Sequence, residues 1–322
     1  MPGRRTIGVD MGGSKLLAGA VDSELSVHHR VQRTLTGLDQ AGLLDIAVDA
    51  VEEARALSGG DVEAVGFGIP SLIDQRTGRA VIAVNLPLKD VFFAEVMTER
   101  LGLPVFVDND ANMAALAEHR AGAALGCGEA VMLTIGTGIG GGLILGGELY
   151  RGGVGAAAEL GHMVIELDGP PCQGNCPNHG CMEAMASGTA LAREAARIAG
   201  ERPGSGLAKA LADGRTLAGP VVTELAYDGD EAAIAVLELI GTRLGVGIAS
   251  LVNIFNPEVV VIGGGVMAAG DLLLDPARAT VAARALPPSR DEDRIVTAQY
   301  GVEAGMVGAA AMAYDAIAAA RL

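Results

Sequence analysis

Cysteine is scarce: the chain has 4 in 322 residues, too few for disulfides to stand in for a hydrophobic core. Cations are scarce as well. Lys and Arg number 23 against 39 Asp and Glu, a formal net charge of −16. Such a chain lacks the clustered positive side chains that neutralise phosphate backbones or anionic lipid surfaces. Nucleic acid and membrane are therefore excluded as expected partners, and an anionic small ligand needs a locally positive or amide-lined site. Apolar runs are broken by glycine, charge or polar residues well short of the roughly 20 residues a membrane helix needs. No apolar signal core precedes the first predicted strand in "MPGRRTIGVDMGG". We expect a soluble, cytoplasmic protein. No linker is rich enough in Pro or Ser to separate independently moving modules.

What is present is a large apolar fraction, 50% hydrophobic against 19% charged. That balance supports a real core, and the length suits two domains. Strand-like segments alternate with amphipathic helical ones, the pattern of an α/β fold. "RTIGVDMG" and "KLLAGAVD" read as two strands joined by a glycine turn. "LDQAGLLDIAVDAVEEARALS" has helical spacing and stops at Gly59–Gly60, a C-cap signal. "VEAVGFGIP" and "PVFVDND" are short strands, the second running into a helix "ANMAALAEHRAGAA".

The design recurs. "IGVDMGGSKLLAGAVD" and "LTIGTGIGGGLILGGEL" are both strand, glycine turn, strand. Two copies imply a duplicated domain with a cleft between the halves. We place a small α/β domain at residues 1–115, with the C-terminal helix of about 303–322 packing back on it. A larger α/β domain then covers 116–302.

Two glycine turns carry the first chemical signal. "DMGGSK" sets Asp10 at a strand end before Gly12, Gly13 and Lys15. Bare backbone amides can cradle phosphate, Lys15 can neutralise it, and Asp10 can hold Mg²⁺ through water. A plain hairpin with Asp10 capping the turn is the alternative. "GTGIGGG", residues 136–142, is harder to explain as a hairpin. It has five glycines in seven positions, each costing up to about 1 kcal/mol of backbone entropy relative to Ala. Thr137 adds a hydroxyl. "GGG" at 263–265 ends a third strand and could admit a flat base against bare backbone. Neither a Walker A nor a Rossmann fingerprint is present.

"VDNDAN", residues 107–112, puts Asp110 at a strand–helix junction. A charged carboxylate there can take a proton from a hydroxyl. A simple N-cap by Asn109 or Asp110 is the alternative.

The order of "DMGGSK", "NDAN", "GTGIGGG", "ELGH", a cysteine cluster ending "GCME", and "IGGG" resembles the ROK family of bacterial sugar kinases and regulators. The resemblance runs from Ile7 to about Gly308 and is nearest the glucokinases. It implies the duplicated ribonuclease-H-like fold of actin and hexokinase. It further implies ATP-dependent phosphorylation of a hexose, glucose first, at the 6-hydroxyl. Kinases for N-acetylmannosamine, N-acetylglucosamine or fructose, a polyphosphate donor, and a non-catalytic sugar-responsive regulator are the alternatives. The regulators carry a helix-turn-helix ahead of the body, for which the strand starting at about residue 6 leaves no room.

By the same resemblance Asp110 is the general base. Asn85, Asn109, Glu159, His162 and Glu183 grip the sugar. Gly12, Gly13, Thr137 and Gly138 line the ATP phosphates, and Gly264 and Gly265 the adenosine. A homodimer or homotetramer is expected. Ser71 in "GIPS" stands where many relatives carry Gly.

Cys172, Cys176, Cys181 and His162 form the three-Cys, one-His set that Zn²⁺ takes in a closed tetrahedron. The loop between them, rich in Gly and Pro, needs a metal to give it shape. Many relatives have C-x-C before G-x-x-G-C, whereas this chain has C-x3-C and then C-x4-C. Either Cys172 or His179 therefore completes the set. With four protein ligands the ion is structural. It clamps Glu159 and Glu183, which flank the ligands His162 and Cys181.

Overall fold

The computed structural model describes residues 4–59, 61–83, 86–289 and 295–321. They divide into two compact units, one of Met1–Gly128, Gly142–Ala158 and Ala298–Leu322, the other of Glu129–Gly141 and Glu159–Thr297.

The first unit opens with β1 (Arg5–Met11), β2 (Lys15–Val21) and β3 (Val27–Thr34), consecutive antiparallel neighbours. α1 (Gln40–Ser58) follows. It starts at Asp39, whose side chain accepts from the Gly42 amide, and stops at Gly59, where φ of 63° is left-handed. β4 (Val62–Ile69) returns parallel to β1. A small separate sheet holds β5 (Ser71–Asp74), β6 (Arg79–Ala83) and β7 (Lys89–Val91). α2 (Phe93–Leu101) leads into β8 (Val105–Asn109), parallel to β4, and β8 runs directly into α3 (Asp110–Ala121). The main sheet has the order β3-β2-β1-β4-β8.

The strands pair again in that order in a second sheet. β9 (Ala130–Ile135), β10 (Ile139–Leu145) and β11 (Glu148–Leu149) are followed, after the helices, by β12 (Val259–Gly263) and β13 (Ile295–Thr297). The order is β11-β10-β9-β12-β13, third, second, first, fourth, fifth, as in the first sheet. In the second unit the chain between these strands forms α4 (Met182–Ala186), α5 (Gly188–Glu201), α6 (Gly206–Ala212), α7 (Gly219–Tyr227), α8 (Glu231–Phe255) and α9 (Asp271–Arg284).

The last helix, α10 (Ala304–Ala320), lies across β1 and β4 of the first unit. Its approach is so close that glycine is obligatory at the crossing. A Cβ on Gly8 would strike the Met306 carbonyl, and one on Gly66 the Ala309 carbonyl. On the helix side, a Cβ on Gly308 would strike the carbonyl of Met113 in α3. Thr6, fully buried, uses its hydroxyl to reach the Ala310 carbonyl at 3.2 Å. These contacts seat the β8–α3 junction against a rigid neighbour.

Two helical segments, Glu231–Phe255 and Gly301–Ala320, are long and apolar enough to span a bilayer. This corrects the expectation that every apolar run stops well short of that length. Glycine and isolated charges do not break a helix whose burial is supplied by its neighbours. Over half of each apolar window is buried inside the protein, 61% and 56%.

Candidate functional site

In the first unit the junction of β8 and α3 presents Asn109 and Asp110 side by side. Asn109 is the N-cap of α3: its Oδ1 accepts from the amides of Ala111 at 2.9 Å and Asn112 at 3.1 Å. The cap alternative is thus real for Asn109, which leaves its amide nitrogen to donate elsewhere. Asp110 occupies the first helical position and accepts from the Ala111 amide at 3.0 Å.

The carboxylate of Asp10, at the end of β1, lies over Gly305 in the first turn of α10. A Cβ on Gly305 would stand 2.6 Å from Asp10 Cγ. Burial, and then the negative charge of Asp110, raise the Asp10 pKa to about 7. After it, the Gly12 amide donates to the Lys15 carbonyl at 2.8 Å and closes the turn. Gly13 and Lys15 are exposed there. Asn85 lies outside the described residues.

Behind the junction stands a group that sequence reading missed. Asp108 is fully buried. It accepts from Arg151 Nε at 2.6 Å, from Asn112 Nδ2 at 3.0 Å and from the Asn109 amide at 2.7 Å. The signal available was "YRGG", an arginine beside two glycines, with nothing to mark its partner 43 residues away.

In the second unit the turn between β9 and β10 contains Thr137 and Gly138. No residue of this turn has a left-handed φ, so conformational freedom is not why its glycines are there. Close approach explains Gly138, where a Cβ would strike the Glu183 carboxylate, but not Gly136, where a Cβ would meet nothing within 4 Å. Glu183, in the first turn of α4, accepts from the Ile139 amide through Oε2 at 2.8 Å. One oxygen of this predicted sugar ligand is therefore committed to the glycine turn. α4 is backed by α8, where Gly247 makes room for the buried Met182 side chain. At the end of β12, Gly264 has φ of 93°, and a Cβ there would strike the Ile135 carbonyl. Gly265 faces open space.

The cysteine loop is more ordered than its Gly and Pro content suggests. Pro171 bridges to His179 and Val164 to Cys181. Gly180, at φ of 62°, passes so close to the Glu166 carbonyl that no Cβ fits. This backbone gathers ligand atoms of His162, Cys172, Cys176 and Cys181 within 4.8 Å of one another. His179 is not among them; its Nδ1 is 3.3 Å from the Gly169 carbonyl.

The spacing tests the fit of a tetrahedral ion. Zn–S at ~2.3 Å and Zn–N at ~2.0–2.1 Å require S···S near ~3.8 Å and S···N near ~3.6 Å. Cys176 Sγ lies 3.8 Å from Cys181 Sγ, and Cys172 Sγ lies 3.5 Å from His162 Nδ1. Burial pushes the thiols of Cys172 and Cys181 upward; Cys181 and Cys176 add to the rise at Cys172, while at Cys181 Cys176 adds to it against the pull of the Cys172 thiol. His162 turns its other nitrogen, Nε2, toward the Glu159 carboxylate at 3.8 Å. Glu159 keeps nearly half of its side chain accessible, 47%. Loss of water around its carboxyl raises its pKa, and Glu183 adds to the rise against the pull of His162.

The ROK family pattern matches residues 6–316 of this chain. The glucokinase of Streptomyces coelicolor is 36% identical over 317 residues, 96% of this chain and 98% of that one. The glucokinase of Thermotoga maritima is 35% identical over 320 residues, 98% and 99% of the two chains. Among solved structures, a ROK family glucokinase from Streptomyces griseus in complex with glucose and AMPPNP matches with a TM-score of 0.87. Its identity is 36%, covering 97% of this chain and 99% of that one. The fold is the duplicated ribonuclease-H-like fold of the actin and hexokinase type.

Proposed function

This chain belongs to the ROK family, and we propose that it is a cytoplasmic glucokinase, transferring the γ-phosphoryl group of ATP to the 6-hydroxyl of glucose. The observation that carries the reading is the Asp110 carboxylate at the first position of α3, in a chain similar over its whole length to glucokinases. Asp110 orients the 6-hydroxyl and accepts its proton as the oxygen bonds to the γ-phosphorus. The bond from that phosphorus to the bridging oxygen breaks, and ADP leaves. The amides around Gly12, Gly13, Thr137 and Gly138 hold the phosphates, with Lys15 as a positive partner, and Gly264 and Gly265 take the adenosine. Mg²⁺ would be held through Asp10, and it supplies charge neutralisation at the phosphates.

Glu159, His162, Glu183, Asn109 and Asn85 read the sugar hydroxyls. A buried polar group left without its partner costs about 1–3 kcal/mol, which lets such a wall reject an epimer. Zn²⁺ would be held by His162, Cys172, Cys176 and Cys181. With all four positions filled by protein it supplies shape and no open coordination site. A homodimer or homotetramer is the assembly we expect for the family.

The test is a coupled ADP-release assay over glucose, mannose, fructose, N-acetylglucosamine and N-acetylmannosamine, with ATP and with polyphosphate as donors. We expect glucose with ATP to give the highest kcat/KM. A preference for a 2-acetamido sugar or for polyphosphate would replace the substrate assignment. No turnover of any sugar by metal-replete protein would remove the kinase reading.

A further inference from the structure

Gln173 lies between the ligand cysteines Cys172 and Cys176, yet its side chain reaches out of the cysteine loop. Its Nε2 donates to the Thr137 carbonyl at 3.2 Å and to Ser187 Oγ at 3.3 Å. The Thr189 hydroxyl donates to the same carbonyl at 2.8 Å. On the other side of the turn, Glu183 takes the Ile139 amide at 2.8 Å, while its Oε1 faces the Cys172 thiol at 3.7 Å. Two side chains, one inside the cysteine loop and one just past it, thus hold successive peptide planes of the glycine turn.

The consequence follows from peptide geometry. The Thr137 carbonyl and the Gly138 N–H belong to one planar trans unit and point in opposite directions. A donor that fixes the carbonyl therefore aims the amide the other way. The next plane behaves alike: Glu183 holds the Ile139 N–H, and the Gly138 carbonyl opposite it accepts from the Gly136 amide at 2.9 Å. Glycine offers the backbone no side-chain restraint of its own. These polar ties therefore decide where the Gly138 amide points.

We propose that Gln173 is a positioning residue that aims the Gly138 amide at a nucleotide phosphate, so that ATP affinity depends on the order of the cysteine loop. This rests on the reading of the 136–139 turn as a phosphate site. It departs from the view of the metal loop as a support for the sugar wall alone. The same loop that carries His162 toward the sugar reaches the phosphate turn through a residue that is not a metal ligand.

The experiment measures binding of AMPPNP and, separately, of glucose by calorimetry on the full-length, metal-replete protein. Gln173→Met keeps the length and removes the donor. We expect AMPPNP to bind about threefold to tenfold more weakly, with glucose affinity and metal content those of the wild type. Gln173→Glu places an acceptor against the Thr137 carbonyl and should weaken AMPPNP further. Chelation should weaken AMPPNP in the wild type and add less to the loss already present in Gln173→Met. Unchanged AMPPNP affinity in Gln173→Met would overturn the proposal, as would equal losses of AMPPNP and glucose, a fall in metal content, or no AMPPNP binding by the wild type. A wild type that binds AMPPNP but phosphorylates no sugar would fail as a kinase and still test this coupling.

Discussion

Arg151 donates through Nε to the fully buried carboxylate of Asp108 at 2.6 Å. The pair ties the segment after β11 to the end of strand β8, immediately before Asn109 and Asp110. A buried charge stripped of its partner is costly, about 3–5 kcal/mol. Part of the Arg151 side chain remains accessible, 34%, so water offsets some of that loss. We predict that Arg151→Met lowers stability by roughly 2–4 kcal/mol in urea unfolding. We also predict a lower kcat, because Asp108 also accepts the Asn109 amide. A stability change under about 0.5 kcal/mol would show that the pair is a surface ornament.

The candidate site residues are legible because glycine turns, a cysteine cluster and an acidic strand end are local signals. Asp10, Asp110 and the four candidate sulfur and imidazole ligands announce themselves within a few positions. Arg151 and Asp108 do not, since an ion pair across 43 residues leaves no local trace. Gln173 leaves no signal either, because its target, a backbone carbonyl, has no sequence identity at all. The glycines of 136–142 were legible as unusual, but their cause was not. Room for the Glu183 carboxylate, rather than a left-handed turn, explains Gly138. The separate sheet over residues 71–91 was also unseen, its three strands being short and interrupted by turns.

The crossing of α10 over β1 and β4 predicts a sharp contrast between two glycines. A Cβ at Gly66 would strike the Ala309 carbonyl, while Gly59, at φ of 63°, has nothing within 4 Å. Gly66→Ala must displace a helix and should cost more than about 3 kcal/mol, or yield no soluble protein. Gly59→Ala carries only backbone strain, about 1 kcal/mol. Chemical denaturation of both variants checks the ratio; equal effects would contradict the packing described.

Asp10 gives a pH signature. Its folded pKa is raised from 3.8 to about 7, so the native state holds a proton that the unfolded chain has released. Its contribution to stability is therefore full below about pH 4 and is lost as pH rises through 7. Asp10→Asn cannot titrate. Without nucleotide or Mg²⁺, the variant should melt higher than wild type at pH 8 and converge with it near pH 4, while losing nearly all turnover. Thermal melts across that range check the sign. A variant less stable at pH 8 would contradict the assignment of burial as the cause.

The central claim is that the Asp110 carboxylate removes the proton from the sugar hydroxyl. Asp110→Asn keeps the shape and the helix start but supplies no base, so kcat for glucose should fall at least about a thousandfold, with AMPPNP and glucose affinities within a fewfold of wild type. Full turnover by Asp110→Asn, in protein that binds both ligands, would contradict the account.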